Sequence, residues 1–168
     1  MQHRARSAIE IRAIGLDEWQ EWRAQRLAAL EEAPHAFCST LAEWQGEGDT
    51  EQHWRARLSS VPLNALAFID GAPAGMVSAT APDATGTTEL ISMWVAPFAR
   101  GRGVSDALIA AVIAWARTQP SARITLEVFA HNEPAIALYR RHGFTTTSLE
   151  SIPASDNEIK TMSLNIAN

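Results

Sequence analysis

Apolar and polar positions alternate through Ala8 to Ile14, and this period of two predicts a first strand. The period then lengthens. Asp17 offers an N-cap for EWQEWRAQRLAALEEA, which ends before Pro34, and Trp19, Trp22, Arg23, Arg26, Leu27 and Leu30 recur at the three- and four-residue spacing of one helical packing face. The stretch PHAFCSTLAEWQGEGD has no clear period and reads as loop, after which Asp49 or Thr50 caps a short helix through Ser59. From Asn64, NALAFIDGAPAGMVSATA predicts two strands joined at Asp70-Gly71, a dipeptide that tolerates the positive φ of a hairpin turn. TTELISMWVAP predicts a third strand. A helix follows from about Gly101 to Thr118, stopped before Pro120, with Val104, Leu108, Val112 and Trp115 as its buried stripe. ARITLEVFA predicts a strand with Ile124, Leu126 and Val128 on one face and Thr125, Glu127 and Phe129 on the other. EPAIALYRRHG predicts a helix with Pro134 in its first turn and Gly143 past its end, and FTTTSLE and EIKTMSLNI finish the chain as strands.

The resulting order is β, helices, βββ, α, β, α, ββ, the pattern of an α/β (α+β) fold. A strand, helix, strand series from Glu89 to Phe129 implies parallel pairing through a right-handed crossover inside a mixed sheet. With no internal repeat and no linker, the 168 residues are expected to form one domain, residues 1–168.

Charge removes one class of function. Fourteen basic and nineteen acidic residues give 14 − 19 = −5, the wrong sign for a protein that neutralises phosphate backbones, so nucleic acid is not an expected partner. A single cysteine, Cys38, excludes an internal disulfide, and no Cys and His cluster has metal spacing. The basic N-terminus lacks a secretory apolar stretch, and no run reaches the ~20 apolar residues of a membrane span. The expectation is a cytoplasmic protein with no metal and no membrane partner.

The chemistry concentrates in VAPFARGRGVSD. A turn that enters a helix from the end of a strand leaves several N–H groups without helical partners, and the helix dipole adds positive charge there. Gly101 and Gly103 let backbone approach a ligand, and Arg100 and Arg102 add charge that meets phosphate. A diphosphate is the natural guest. The Walker pattern and the dinucleotide fingerprint are both absent, because the glycines read GxG followed by Val104, Ser105 and Asp106.

A second constellation, Glu127, Asn132 and Tyr139, lies in LEVFAHNEPAIALYRRHGF. Together the two stretches resemble the GNAT superfamily of acetyl-CoA-dependent N-acyltransferases. The resemblance is specific from about Glu89 to Phe144, and it implies a central mixed, splayed β-sheet of six to seven strands flanked by about four helices. In that family the first stretch is written [QR]xxGx[GA], and its amides hold the coenzyme A pyrophosphate; Arg100, Gly103 and Ser105 occupy the defining positions, with Gly101, Arg102 and Val104 between them. Ser105 departs from the family's Gly or Ala. The resemblance further implies that the backbone of Met93, Trp94 and Val95 pairs with the pantetheine arm, that Asn132 hydrogen-bonds the cofactor, and that Tyr139 protonates the leaving thiolate. An ordinary phenol, with a pKa near 10, carries its proton at neutral pH.

The amine needs a general base, and two carboxylates compete. Glu127 is placed as in ribosomal-protein N-terminal acetyltransferases. Glu89 begins the cofactor strand, on a face expected to include Ile91, Met93 and Val95. His35, Cys38, His131 and His142 offer a nucleophile and bases, but this family attacks directly from a ternary complex. The acceptor is expected near Trp19, Trp22, Phe37 and Trp44, with Glu31, Glu32, Glu43, Glu47 and Asp49, a set suited to a small cationic amine metabolite or an amine-bearing antibiotic. Acetylation of a peptide or protein N-terminus is the alternative, and a non-catalytic acyl-CoA sensor is the alternative of another class. A homodimer is plausible by resemblance alone.

Overall fold

The computed structural model describes residues 7–34, 36 and 39–167. Its elements are β1 (Ile9–Ala13), α1 (Trp19–Glu32), α2 (Glu51–Ser59), β2 (Leu63–Ile69), β3 (Ala72–Ala79), β4 (Thr87–Val95), α3 (Val104–Ala116), β5 (Arg123–Phe129), α4 (Glu133–Arg141), β6 (Thr145–Ser151) and β7 (Glu158–Asn165). The strands form one mixed, open sheet in the order β1-β2-β3-β4-β5-β7-β6. Only the β4 and β5 contact is parallel, with α3 as its crossover; every other neighbour pair is antiparallel.

Local chemistry explains the boundaries. Thr50 caps α2, accepting a hydrogen bond from the His53 N–H at 3.2 Å. Asp17, expected to cap α1, does not: Leu16–Glu18 form a 3-10 turn in which the Glu18 carboxylate accepts the Gly15 N–H at 2.7 Å, and Asp17 instead pairs with Arg55. The expected loop after α1 contains two further 3-10 turns, Leu41–Trp44 and Gly46–Gly48. Short turns of that kind leave no periodic signal. The third helix starts at Val104 rather than near Gly101, because the chain first makes a 3-10 turn at Pro97–Ala99 and then takes positive φ at Gly101 and Gly103.

The sheet has two differently clothed faces. A Cβ built on Gly75 would meet Val104 and Leu108 of α3, so Gly75 and its register partners Ala67 and Val95 face α3. The alternate residues Leu66, Met76, Ser78 and Trp94 face α1 and α2, and the Trp94 indole N–H accordingly reaches Glu32 at 2.9 Å. Leu108, Ile109 and Val112 are fully buried on the α3 side, and each contributes roughly 2 kcal/mol by leaving water. On the other side Trp22 and Trp54 are also completely buried. Among the described residues no helix is long and apolar enough to cross a membrane.

Candidate active site

The parallel contact is short. β4 and β5 pair only at Thr87, Thr88 and Glu89 against Arg123, Ile124 and Thr125; beyond them the strands diverge. From Leu90 onward β4 keeps its β3 neighbour but loses β5, which leaves main-chain groups facing a cleft of about 720 Å³. The splay is expected of a strand whose next neighbour is drawn away by an antiparallel partner of its own, here β7, which pairs with β5 along all seven of its residues.

A bulge shapes the near wall. Met76 pairs with Trp94 while Ser78 pairs with Ile91, so β4 carries one residue more than β3, and Ser92 takes a φ of 56°. Left-handed backbone at a non-glycine is strained and survives only where its surroundings hold it. The extra residue inverts the face beyond it. Glu89 therefore shares its face with Ile91 and Trp94, while Met93 and Val95 turn to the α3 side, contrary to the expected grouping. Ser92 is turned toward α2, where its Oγ accepts a hydrogen bond from Arg57 Nη2 at 3.2 Å.

At the mouth, the six amides from Gly101 to Asp106 donate to no protein acceptor among the described residues; the first closed bond of α3 is Ala107 N–H to the Gly103 carbonyl at 3.1 Å. Gly101 (φ 73°) and Gly103 (φ 90°) permit this path, and a Cβ at Gly101 would touch nothing within 4 Å. The result is an unfilled nest of donors at a helix N-terminus, which fits an anionic diphosphate. The arginines are engaged elsewhere. Arg100 bonds both Glu32 carboxylate oxygens, at 2.9 and 2.8 Å, and its Nε donates to the Val95 carbonyl at 3.2 Å. Arg102 donates to Ser7 at 2.7 Å. Glu32, held by the Trp94 indole and then by Arg100, lies below the usual carboxylate pKa.

Met93, Trp94, Val95, Arg100, Gly101, Ser105, Glu127, Asn132 and Tyr139 line this cleft. Arg102, Gly103, Val104 and Glu89 do not: Val104 is core, and Gly103 is the N-cap of α3. Asn132 caps α4, its Oδ1 accepting from Ala135 at 3.3 Å, which leaves the amide N–H₂ for the cleft. Tyr139 is 7% exposed, packs edge-on to Phe144 at 5.9 Å, and is pushed up to about 12 by burial. Its proton is thus retained throughout the physiological range. Glu89 and Glu127 share a sheet face, since Glu89 pairs with Thr125 and Glu127 lies two residues on. Glu89 retains contact with solvent, yet desolvation first and the Glu127 charge second raise its pKa.

The remaining expected residues are tied down. Trp44 stacks on His53 at 3.9 Å and lies 4.4 Å from Trp54, so it and Trp22 are core rather than an open aromatic wall. Asp49 is held at about 2 by Arg23 and the Trp54 indole. His142 contacts Asp106 at 2.8 Å, and His131 stacks on Phe129. His35, Phe37 and Cys38 lie outside the described residues. Reading the sequence alone missed Ser92 and Arg57, whose contact spans 35 positions, and it missed the clamp by Glu32.

Residues 16–144 match the sequence model of the acetyltransferase (GNAT) family. The L-amino acid N-acetyltransferase AaaT of Escherichia coli (strain K12) is 29% identical over 119 residues, 66% of this chain and 70% of that protein. Two solved structures share the fold. The protein yncA from Salmonella typhimurium, solved with its cofactor acetyl-CoA, superposes with a TM-score of 0.76 at 18% identity over 96% of each chain. RimL, a ribosomal L7/L12 α-N-protein acetyltransferase in complex with coenzyme A, gives 0.75 at 15% identity, again over 96% of each. With its splayed sheet and a family match spanning α1 to Phe144, this chain belongs to the GNAT acetyltransferases and is an acyltransferase enzyme.

Proposed function

We propose that the chain, acting as one unit over residues 1–168, transfers the acetyl group of acetyl-CoA to a small primary amine in a ternary complex. The observation that carries the donor half is the run of free amides from Gly101 to Asp106 at the mouth of a cleft whose β4 wall has unpaired main chain. Those amides hold the pyrophosphate, assisted by Arg100 where it leaves Glu32. The open edge at Met93, Trp94 and Val95 receives the pantetheine as an added strand, and the Asn132 amide bonds to it. Acetyl-CoA bound there supplies an activated thioester.

The acceptor nitrogen forms a bond to the acetyl carbon as the carbon–sulfur bond breaks. Glu127, which lines the cleft, takes the proton lost by the amine, directly or through a water. Glu89 is the second candidate, and its raised pKa moves it toward the range useful to a base. Tyr139 gives its proton to the departing sulfur. The sum is an ammonium and a thioester converted to an amide, a thiol and one proton. A small acceptor is favoured by the likeness to an L-amino acid N-acetyltransferase.

The test is an amine panel assayed by thiol release on wild type, Glu127→Gln and Glu89→Gln. Turnover of small amines, with a loss of at least 100-fold in one variant, is expected. A preference for peptides of defined first residue would replace the acceptor, and acetyl-CoA binding with no thiol release from any amine would sink the enzyme assignment to this cleft.

A further inference from the structure

Among the described residues Arg57 is a cation provided only with neutral hydrogen-bond partners. Its Nη1 donates to Asn64 Oδ1 at 3.1 Å, and its Nη2 donates to Ser78 Oγ and Ser92 Oγ, each at 3.2 Å. The face of its guanidinium lies over the Trp22 ring at 5.2 Å. Among the described residues no carboxylate pairs with it. Arg55 of α2 and Arg100 at the cleft mouth are both ion-paired, while Arg102 at the mouth donates to Ser7. Arg26, 6% exposed, stands close enough for the two charges to disfavour one another. A desolvated positive centre of this kind gains most from an anion supplied from outside.

Its position says where that anion arrives. Asn64 and Ser78 are buried and fix the guanidinium: the Asn64 amide donates to the Leu58 and Val61 carbonyls, and Ser78 donates to Asn64 Oδ1 at 2.7 Å. Ser92 is the partner that lines the cleft. Because its oxygen already accepts from Arg57, its own O–H is left to donate into the cleft. The strained φ of 56° is what turns it to this face. Along the same face of β4 and β5 stand Glu89 and Glu127. The wall thus presents the Glu127 carboxylate, with Glu89 beside it at the fork but outside the cleft lining, and a serine-relayed cation beyond the bulge.

We infer that Ser92 and Arg57 form a carboxylate-recognition site, and that the acceptor is an amino acid, its ammonium toward Glu89 and Glu127 and its carboxylate at Ser92 and Arg57. This rests on the proposed N-acetyltransfer reaction and specifies its substrate. A zwitterion matches the two signs of charge on that face, whereas a polyamine offers nothing to Arg57. A peptide lacks a carboxylate beside its terminal amine.

The test compares one amino acid series, each member as free acid, carboxamide and decarboxylated amine, by thiol release. Wild type should prefer the acid over the amide by about 10- to 100-fold in kcat/KM, the worth of a charge-assisted hydrogen bond. In Arg57→Gln that ratio should fall toward one, chiefly through KM for the acid, while acetyl-CoA affinity stays within about threefold. Ser92→Gly, which relieves the strained backbone and removes the hydroxyl, should reduce the ratio by about 3- to 10-fold. Should Arg57→Gln fail to fold, as judged by its melting curve, the ratio in Ser92→Gly decides. Equal rates for acid, amide and amine in wild type would overturn the inference and leave the acetyltransferase reading intact. An acid preference that survives both substitutions would overturn it as well. The absence of any turnover would count against the parent reading as well as this one.

Discussion

Replacing Tyr139 by Phe separates chemistry from architecture, because the hydroxyl is buried in the cleft wall and burial alone accounts for its raised pKa. No hydrogen bond to another described residue is lost with it. The ring remains edge-on to Phe144, and folding stability should change by no more than ~0.5 kcal/mol, within the range of a benign substitution. With the phenol pushed up to about 12 by burial, it stays neutral and keeps its proton throughout the working range. Losing a positioned proton donor costs about 10²–10⁴ in rate, or roughly 2.7–5.5 kcal/mol of barrier. The assay is thiol release at saturating amine, with kcat and the KM for acetyl-CoA fitted separately, alongside a melting curve. The expected result is a kcat at least 100-fold lower, a KM within threefold and an unchanged melting temperature. A kcat within threefold of wild type would refute the role. A wild-type alkaline limb near pH 8–9 that disappears in the variant would instead uphold the acid role and refute the burial argument, since it would mean that the phenol ionises far below its buried value.

Other substitutions test other parts of the structure. Gly75→Ala places a Cβ 2.6 Å from the Trp94 carbonyl oxygen and 3.3 Å from Leu108, and should cost about 1–3 kcal/mol, lowering the melting temperature by several degrees. Wild-type melting would show that β3 and α3 are not this close. Glu89 has a raised pKa, so the folded state binds its proton more tightly than the unfolded state, and wild type gains relative stability as pH falls through that value. Glu89→Gln should therefore melt higher at pH 7, with the difference closing toward pH 4; a lower melting temperature at pH 7 would contradict the desolvation argument. Asp106 is the opposite case: the His142 hydrogen bond first, and then Arg141, depress its pKa, giving stability that is present above the ordinary value of 3.8 and lost as pH falls through the lower folded one. Its carboxylate is 46% exposed, so Asp106→Asn should cost only ~0.5 kcal/mol at pH 7 and nothing near pH 2, read by urea denaturation at both.

The elements that were legible in the sequence are those whose signals are local. Alternation in ARITLEVFA placed Glu127 opposite Ile124, Leu126 and Val128, and the observed burial alternates in the same way. Asp70 and Gly71 take the positive φ expected of the hairpin turn. Misreadings arose where two local options competed or where a contact was distant. Glu18, reaching back to Gly15, displaced Asp17 as the helix-starting residue. Ser92 in a left-handed conformation looks in sequence like any strand serine, and that one residue inverted the face assigned to Met93 and Val95. The Gly-rich anion turn was legible, because glycines and a following helix carry the signal. The occupation of Arg100 by Glu32 was not, since 68 positions separate them and the pairing depends on how α1 lies over β4.

The three residue pairs that join β4 to β5 also bear on cooperativity. One half of the sheet, β1 to β4, is sutured to the other, β5, β7 and β6, by that short seam, by the α3 crossover and by the brace from Arg141 and His142 to Asp106. Amide exchange from β5 and β7 should then be able to outrun exchange from β2 and β3, with the halves breathing as separate units. A molecule lying along the open edge of β4 would act as the missing strand and fasten them together. Ligand affinity and the mechanical unity of the sheet would thus be one quantity measured in two ways, and protection in β5 should rise with cosubstrate concentration even though β5 lies across the gap from β4.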